Sequence, residues 1–341
     1  MATIKDIAKI VGVSCTTVSN VIHGKPGRVS ADTVKKINQA IKDLGYVPNM
    51  SARSLVSNSS KVIGVINHVV TSENKNFMED PFHSIFIGSI ESRLRENGYY
   101  LMLRTVKTSD DLNFFLRNWN LDGLILNGIY EDEFFDILTK INIPIVVIDS
   151  YVSSPNICNI GLEDFNGGYL ATKYLIDHGH KNIAFASPFI KYTGVVSERF
   201  EGYKKALNES NIEINNDLIF QQELDIDTTI SLGESLAKRQ DVTAIFATAD
   251  ILAAGIMTGI KKAGKSIPED ISIIGFDDIN LCSLISPTLT TIHQDAPLKG
   301  ELAVNYIIDK LEGKSIPNTE TILPVKIVER ESVATVKSSS I

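Results

Sequence analysis

The sequence predicts a two-part chain: a small all-α headpiece carrying a helix-turn-helix, followed by an α/β core of two doubly wound parallel-sheet lobes. Three observations predict it. Apolar residues recur at helical spacing in short segments over residues 1–47. From residue 61, short β-branched runs alternate with helical segments, the pattern of a parallel sheet covered on both faces. The charge also changes sign along the chain. Residues 1–60 hold eight Lys/Arg against three Asp/Glu, whereas the whole chain of 341 residues carries a net charge of −8. A basic head on an acidic body suggests that the head meets phosphate while the body has another task.

The first segment, Thr3 to Gly24, reads as helix, tight turn, helix. Ile4, Ile7, Ala8 and Val11 form one apolar face. Gly12 allows a sharp turn, and Ser14 is placed to cap a second helix by accepting a free backbone N–H. Val18, Val21 and Ile22 are its inner side, which leaves Cys15, Thr16, Thr17, Ser19 and Asn20 facing out. Such a polar helix is how helix-turn-helix proteins enter the major groove, although this stretch alone also fits an ordinary helical hairpin. The turn-rich HGKPGR follows, then a helix opened by Ser30 with Val34, Ile37, Ile41 and Leu44 as its stripe and Gly45 as its end. YVPN breaks the chain, and MSARSLVS is too short to be a stable helix in isolation.

In the core, strands are expected at 61–66, 100–104, 123–127 and 144–149, with helices around 85–97, 110–118 and 131–141. After NICNIG the pattern repeats, with strands at 182–187, 244–248 and 271–276 and helices at 167–178, 198–208, 230–238 and 251–263. Three scattered cysteines show no metal-ligand spacing and fit a reducing cytoplasm. No apolar run approaches the roughly 20 residues that span a bilayer, so no membrane partner is expected. There is no G-x-S-x-G elbow, P-loop, HExxH or purposeful carboxylate pair, so neither an enzyme nor a metal or cofactor is expected.

The run TIKDIAKIVGVSCTTVSNVIHG, with RVSADTVKKINQAIKDLGYVPNMSARSL after it, resembles the headpiece and hinge of the LacI/GalR family of bacterial transcription regulators. The resemblance spans nearly the whole chain. It implies a headpiece at 1–47, a hinge helix and linker at 48–60, and an effector-binding, dimerising core at 61–341. That core would be periplasmic-binding-protein-like, with an N-lobe at about 61–160 and 293–321 and a C-lobe at about 161–292 and 322–341. Transposed onto this sequence, the family's base-reading positions fall on Cys15, Thr16 and Asn20. Cys15 and Asn20 both depart from the family pattern; Asn20 can pair bidentately with adenine, and Cys15 is equally readable as a small tolerated residue. Thr17 and Ser19 suit phosphate, with Thr3, His23 and Arg28 as further DNA contacts. The resemblance also gives Leu55 as a minor-groove wedge, supported by Asn49, Ala52 and Arg53; a linker leucine tucked on the core is the alternative.

For the core, the resemblance implies a small effector, sugar or sugar-like, held between the lobes, and a homodimer on a pseudo-palindromic operator, acting as a repressor in the cytoplasm. Arg199 and Asp277 would clamp the effector, joined by Asp149, Asn127, Phe82 and Asp250, with loop capping the alternative for Asp149 and Asn127 and core packing for Phe82. Two departures stand out. Ala249 occupies a position that is usually Asn, and the loop 67–82 is longer than the family norm. A solute-binding protein without a regulatory role is the competing reading, disfavoured by the basic headpiece.

Overall fold

A computed structural model describes residues 2–22, 27, 29–47, 59–68, 77–129, 133–152, 154–316 and 319–336. The chain divides into two compact units, residues 1–61 and 62–341.

Among its described residues the first unit has three short helices, α1 (Ile4–Val11), α2 (Cys15–Ile22) and α3 (Ala31–Asp43). Each starts where the sequence supplies a cap. Thr3 and Asp6 form a capping box, the Thr3 hydroxyl accepting from the Asp6 N–H while the Asp6 carboxylate accepts from the Thr3 N–H at 2.8 Å. The Ser14 hydroxyl accepts from the Thr17 N–H at 3.1 Å, and that of Ser30 from the Thr33 N–H. Gly12 takes the left-handed conformation (φ +74°) that lets α2 turn off α1. Ile7, Ala8, Val18, Ile37 and Ala40 are buried together in one small core, with Val21, Ile41 and Leu44 packed against it.

Among its described residues the second unit contains two six-stranded sheets. In chain order its elements are β1 (Val62–Asn67), α4 (Pro81–Glu96), β2 (Tyr100–Thr105), α5 (Ser109–Asn118), β3 (Gly123–Asn127), α6 (Glu133–Leu138), β4 (Ile145–Ile148) and β5 (Ile157–Leu162). Next come α7 (Asp164–Asp177), β6 (Ile183–Ser187), α8 (Val195–Glu209), β7 (Ile219–Gln221), α9 (Ile226–Leu236), β8 (Ala244–Ala247), α10 (Asp250–Lys262) and β9 (Ser272–Asp277). The last are β10 (Thr290–His293), α11 (Ala296–Leu311), β11 (Glu320–Leu323) and β12 (Lys326–Val328). The first sheet has the order β11-β5-β4-β3-β1-β2 and the second β12-β10-β9-β8-β6-β7. Among the described residues all pairings are parallel except β10 with β12.

Interior strands such as β4, β6 and β8 are buried along their whole length, which is why they read as unbroken apolar runs; the edge strand β2 is mostly exposed. The chain passes between the sheets three times: after β5, after β10 and after β11. The short edge strand β7 lies in a stretch the sequence pattern leaves unassigned, because its three residues are too few to show a period.

Two helices approach backbone to backbone. A Cβ at Gly168 of α7 would sit 2.0 Å from the Arg199 carbonyl oxygen of α8, and one at Gly202 would sit 2.1 Å from that of Phe165. Only glycine permits this approach, and it brings the first turns of α7 and α8 side by side.

Candidate effector cleft and nucleic-acid interface

In the headpiece, Cys15, Thr16 and Asn20 are exposed on α2, and Cys15 is a free thiol. Thr17 and Ser19 are half-buried. The Thr17 hydroxyl lies 2.9 Å from that of Ser14 at the start of the helix, so its first partner is the cap. Thr3 is exposed and serves the capping box of α1. His23, Arg28, Asn49, Ala52, Arg53 and Leu55 lie outside the described residues, as does part of the 67–82 loop.

In the core, a cleft of about 340 Å³ opens at the carboxyl ends of strands from both sheets. Phe82, Asn127 and Asp149 line it from the first sheet's side, and Arg199, Ala249 and Asp277 from the second. The Phe82 ring lies parallel to that of buried Phe86 at 6.3 Å, and Phe82 also lines the cleft.

Arg199 is held from several sides. Its Nε donates to Asp164 Oδ1 at 2.8 Å, its Nη1 donates to the Thr248 carbonyl at 2.7 Å, and its guanidinium lies 3.5 Å from the centroid of the Phe276 ring. Tyr151 donates to the other Asp164 oxygen at 3.0 Å. Burial opposes the arginine's charge, yet Asp164 and Asp277 outweigh it and hold its pKa above the usual value. The glycine contact between α7 and α8 is what puts Asp164 beside Arg199.

Asp277 and Asp149 end their strands in left-handed backbone, φ +116° and +49°. Non-glycine residues rarely adopt such angles, and the strain is characteristic of ligand-facing turns. Burial pushes the Asp277 carboxyl well above the usual carboxylate range, although nearby Arg199 pulls it down. Gln294 Nε2 donates to Asp277 at 2.6 Å, and Gln294 Oε1 accepts from Lys299 at 2.9 Å. Fully buried Lys299 also donates to both Asp149 oxygens at 2.7 Å. A continuous polar chain therefore runs Asp149–Lys299–Gln294–Asp277 from one sheet to the other.

Asp250 departs from expectation. Its carboxylate does not reach the cleft wall. It accepts from the Thr291 hydroxyl at 2.6 Å and the Ile279 N–H at 3.0 Å, buried beneath β9 and β10. Burial pushes it up to about 6. Its neighbour Ala249 is the residue that lines the cleft, and it offers no polar group. Sequence reasoning missed Asp164, Gln294 and Lys299. For Lys299 a signal existed: it sits in a helical stripe with Ala296, Gly300, Ala303 and Ile307, an apolar face in which a lysine needs an internal partner.

Comparison with known proteins bears on both parts. A model described as "Bacterial regulatory proteins, lacI family" matches residues 3–49, and one described as "Periplasmic binding protein-like domain" matches residues 172–333. The "HTH-type transcriptional repressor PurR" of Pasteurella multocida is 37% identical over 341 residues, covering 98% of this chain and 99% of its own. The chain belongs to the lacI family of bacterial regulatory proteins. It is a DNA-binding transcriptional repressor of the type those relatives represent. A lac repressor dimer solved with operator and the anti-inducer ONPF superposes on this lacI-family chain with a TM-score of 0.83 at 26% identity, covering 98% of this chain and 99% of that one. A regulator from Enterococcus faecium with bound ribose is 30% identical with a TM-score of 0.71, covering 81% and 100%.

Proposed function

We propose that this repressor binds a pseudo-palindromic operator as a homodimer and is controlled by a small polyhydroxylated, sugar-like effector seated in the cleft between the two sheets. Cys15, Thr16 and Asn20 read base edges, Thr17 and Ser19 hold phosphate, Thr3, His23 and Arg28 make further DNA contacts, and Leu55, with Asn49, Ala52 and Arg53, engages the minor groove. The observation that carries the effector reading is the convergence of acceptor oxygens from opposite sheets, Asp149 and Asp277, beside the aromatic face of Phe82. Acceptors suit hydroxyl donors, and a ring face suits the C–H side of a sugar. The ribose in the Enterococcus relative supports the same class.

An effector that contacts both sheets binds their closed and open arrangements unequally. That difference is all it has with which to move DNA affinity. The role is tested by a thermal-shift screen of the full-length protein against sugars and planar nitrogen heterocycles, since a ligand of the native state raises its apparent stability. Hits are then added to operator binding followed by fluorescence anisotropy. A sugar that raises the melting temperature and changes operator affinity meets the expectation. A screen in which only heterocycles do so overturns the sugar assignment, and binders that leave DNA affinity untouched overturn the regulatory one.

A further inference from the structure

One cluster in the cleft has geometry that the effector reading does not use. Asp80 caps α4 from just before its first residue. Its Oδ1 accepts from the Phe82 N–H at 3.0 Å, and its Oδ2 lies 3.3 Å from His83 Nδ1. His83 Nε2 lies 3.1 Å from Asn127 Nδ2 at the end of β3. All three residues line the cleft, and the His83 side chain is only 15% exposed.

The chemistry fixes the order of donors and acceptors. A carboxylate can only accept, so the proton of neutral His83 belongs on Nδ1. Nε2 then carries a bare lone pair and needs a donor, which the Asn127 amide N–H₂ supplies. The amide is thereby turned so that its other atom, Oδ1, is the one left over. Among the described residues Oδ1 makes no hydrogen bond to the protein.

We propose that Asp80, His83 and Asn127 form a specificity relay that fixes the Asn127 amide so that its Oδ1 is presented to the effector as a hydrogen-bond acceptor. This rests on the cleft being the effector site. The corner, like Asp149 and Asp277, selects a hydroxyl or N–H on the effector. His83 and Asp80 are positioning residues here, acting through Asn127.

Other charges surround the relay. Glu79 precedes Asp80 in the chain. Asp149, already matched by Lys299, shares the first sheet's side. Arg199, Lys191 and Asp277 face it from the other side, and Asp80 lies close enough to Asp277 to raise the latter's pKa.

The full-length protein, labelled with ¹⁵N in histidine or asparagine side chains, tests the relay. In long-range ¹H–¹⁵N spectra at pH 7.5, the His83 resonances, assigned by their loss in His83→Gln, are expected in the Nδ1–H form by about tenfold over the other tautomer. Asp80→Asn, which retains the cap, should bring the two forms toward parity and shift the Asn127 amide signals with them. D-ribose titrated into the same samples should bind at least about threefold more weakly to Asp80→Asn than to the native protein. A dominant Nε2–H tautomer in the native protein, or Asn127 signals unmoved by Asp80→Asn, overturns the relay. Absence of ribose binding counts against the sugar assignment, and the tautomer populations then decide for or against the relay by themselves.

Discussion

Replacing Lys299 with methionine isolates one buried ion pair of the core. Its Nζ is fully buried and donates to both Asp149 oxygens at 2.7 Å and to Gln294 Oε1 at 2.9 Å, so every N–H has a partner. Methionine conserves the volume and removes the charge. Asp149, whose side chain is only 12% exposed, is then a carboxylate without a counter-charge, and Gln294 loses its donor. Leaving one member of a buried pair alone costs about 3–5 kcal/mol. At 2–4 °C per kcal/mol for a domain of this size, the core's melting temperature should fall on the order of 6–20 °C. Calorimetry at fixed protein concentration, monitoring the core transition, reads this directly. The double variant Lys299→Met/Asp149→Asn removes the orphaned charge and should recover more than half of the loss. A single variant that costs less than about 1 kcal/mol, or a double variant no better than the single, would refute the argument that the pair's energetics rest on the uncompensated carboxylate.

Arg199→Ala should abolish the response of operator binding to a cleft ligand and also lower core stability by about 3–5 kcal/mol, because buried Asp164 loses its partner; retention of the ligand response by folded variant protein would remove Arg199 from the recognition machinery. Asn20→Ala should cost about 1–3 kcal/mol in discrimination between operator and non-specific DNA while leaving non-specific affinity nearly unchanged, measured by anisotropy competition at one salt concentration. Thr3→Ala should destabilise the headpiece by about 1 kcal/mol through the lost cap of α1, read as a lower melting temperature of the headpiece transition. For pH, Asp250 stands at about 6 in the fold against an ordinary 3.8, so the folded state binds more protons than the unfolded one between these values. Stability should then fall as pH rises through that window, by about 3 kcal/mol for this group, and Asp250→Asn should flatten the slope measured by urea unfolding from pH 4 to 7. Asp277, raised by burial, adds to the slope in the same direction.

The fold was legible because its signals are local. Strands buried on both faces must be apolar throughout, and capping residues must sit one position before a helix; both leave marks that a single sequence carries, at β4, β6 and β8 and at Ser14 and Ser30. The cleft was only half legible, since its ligand-facing groups stand at strand ends that the same pattern locates. What holds them does not. Asp164 is 35 residues from Arg199, and Lys299 is 150 from Asp149, and no local pattern reports pairing at such separations. The position of Asp250 shows the converse error: one residue along from Ala249, a helix N-terminus turns the side chain from the cleft toward Thr291, and family position alone could not register that turn.

The same long-range pairs bear on how the cleft could transmit a signal. Asp149 and Asn127 belong to the first sheet, Arg199 and Asp277 to the second, and Gln294 lies on the crossing between β10 and α11, donating to Asp277 while accepting from Lys299. A rotation of one sheet relative to the other must change one of those two bonds, because the amide cannot follow both partners. Each charge-assisted bond is worth about 1.5–3 kcal/mol, and converting a two-state balance from 1:99 to 99:1 takes about 5.5 kcal/mol. The amide chain alone is therefore too weak to lock either state, yet strong enough to bias it. An effector that competes for Asp149 or Asp277 need contribute only the remainder, which falls within reach of a ligand making a few hydrogen bonds to each side.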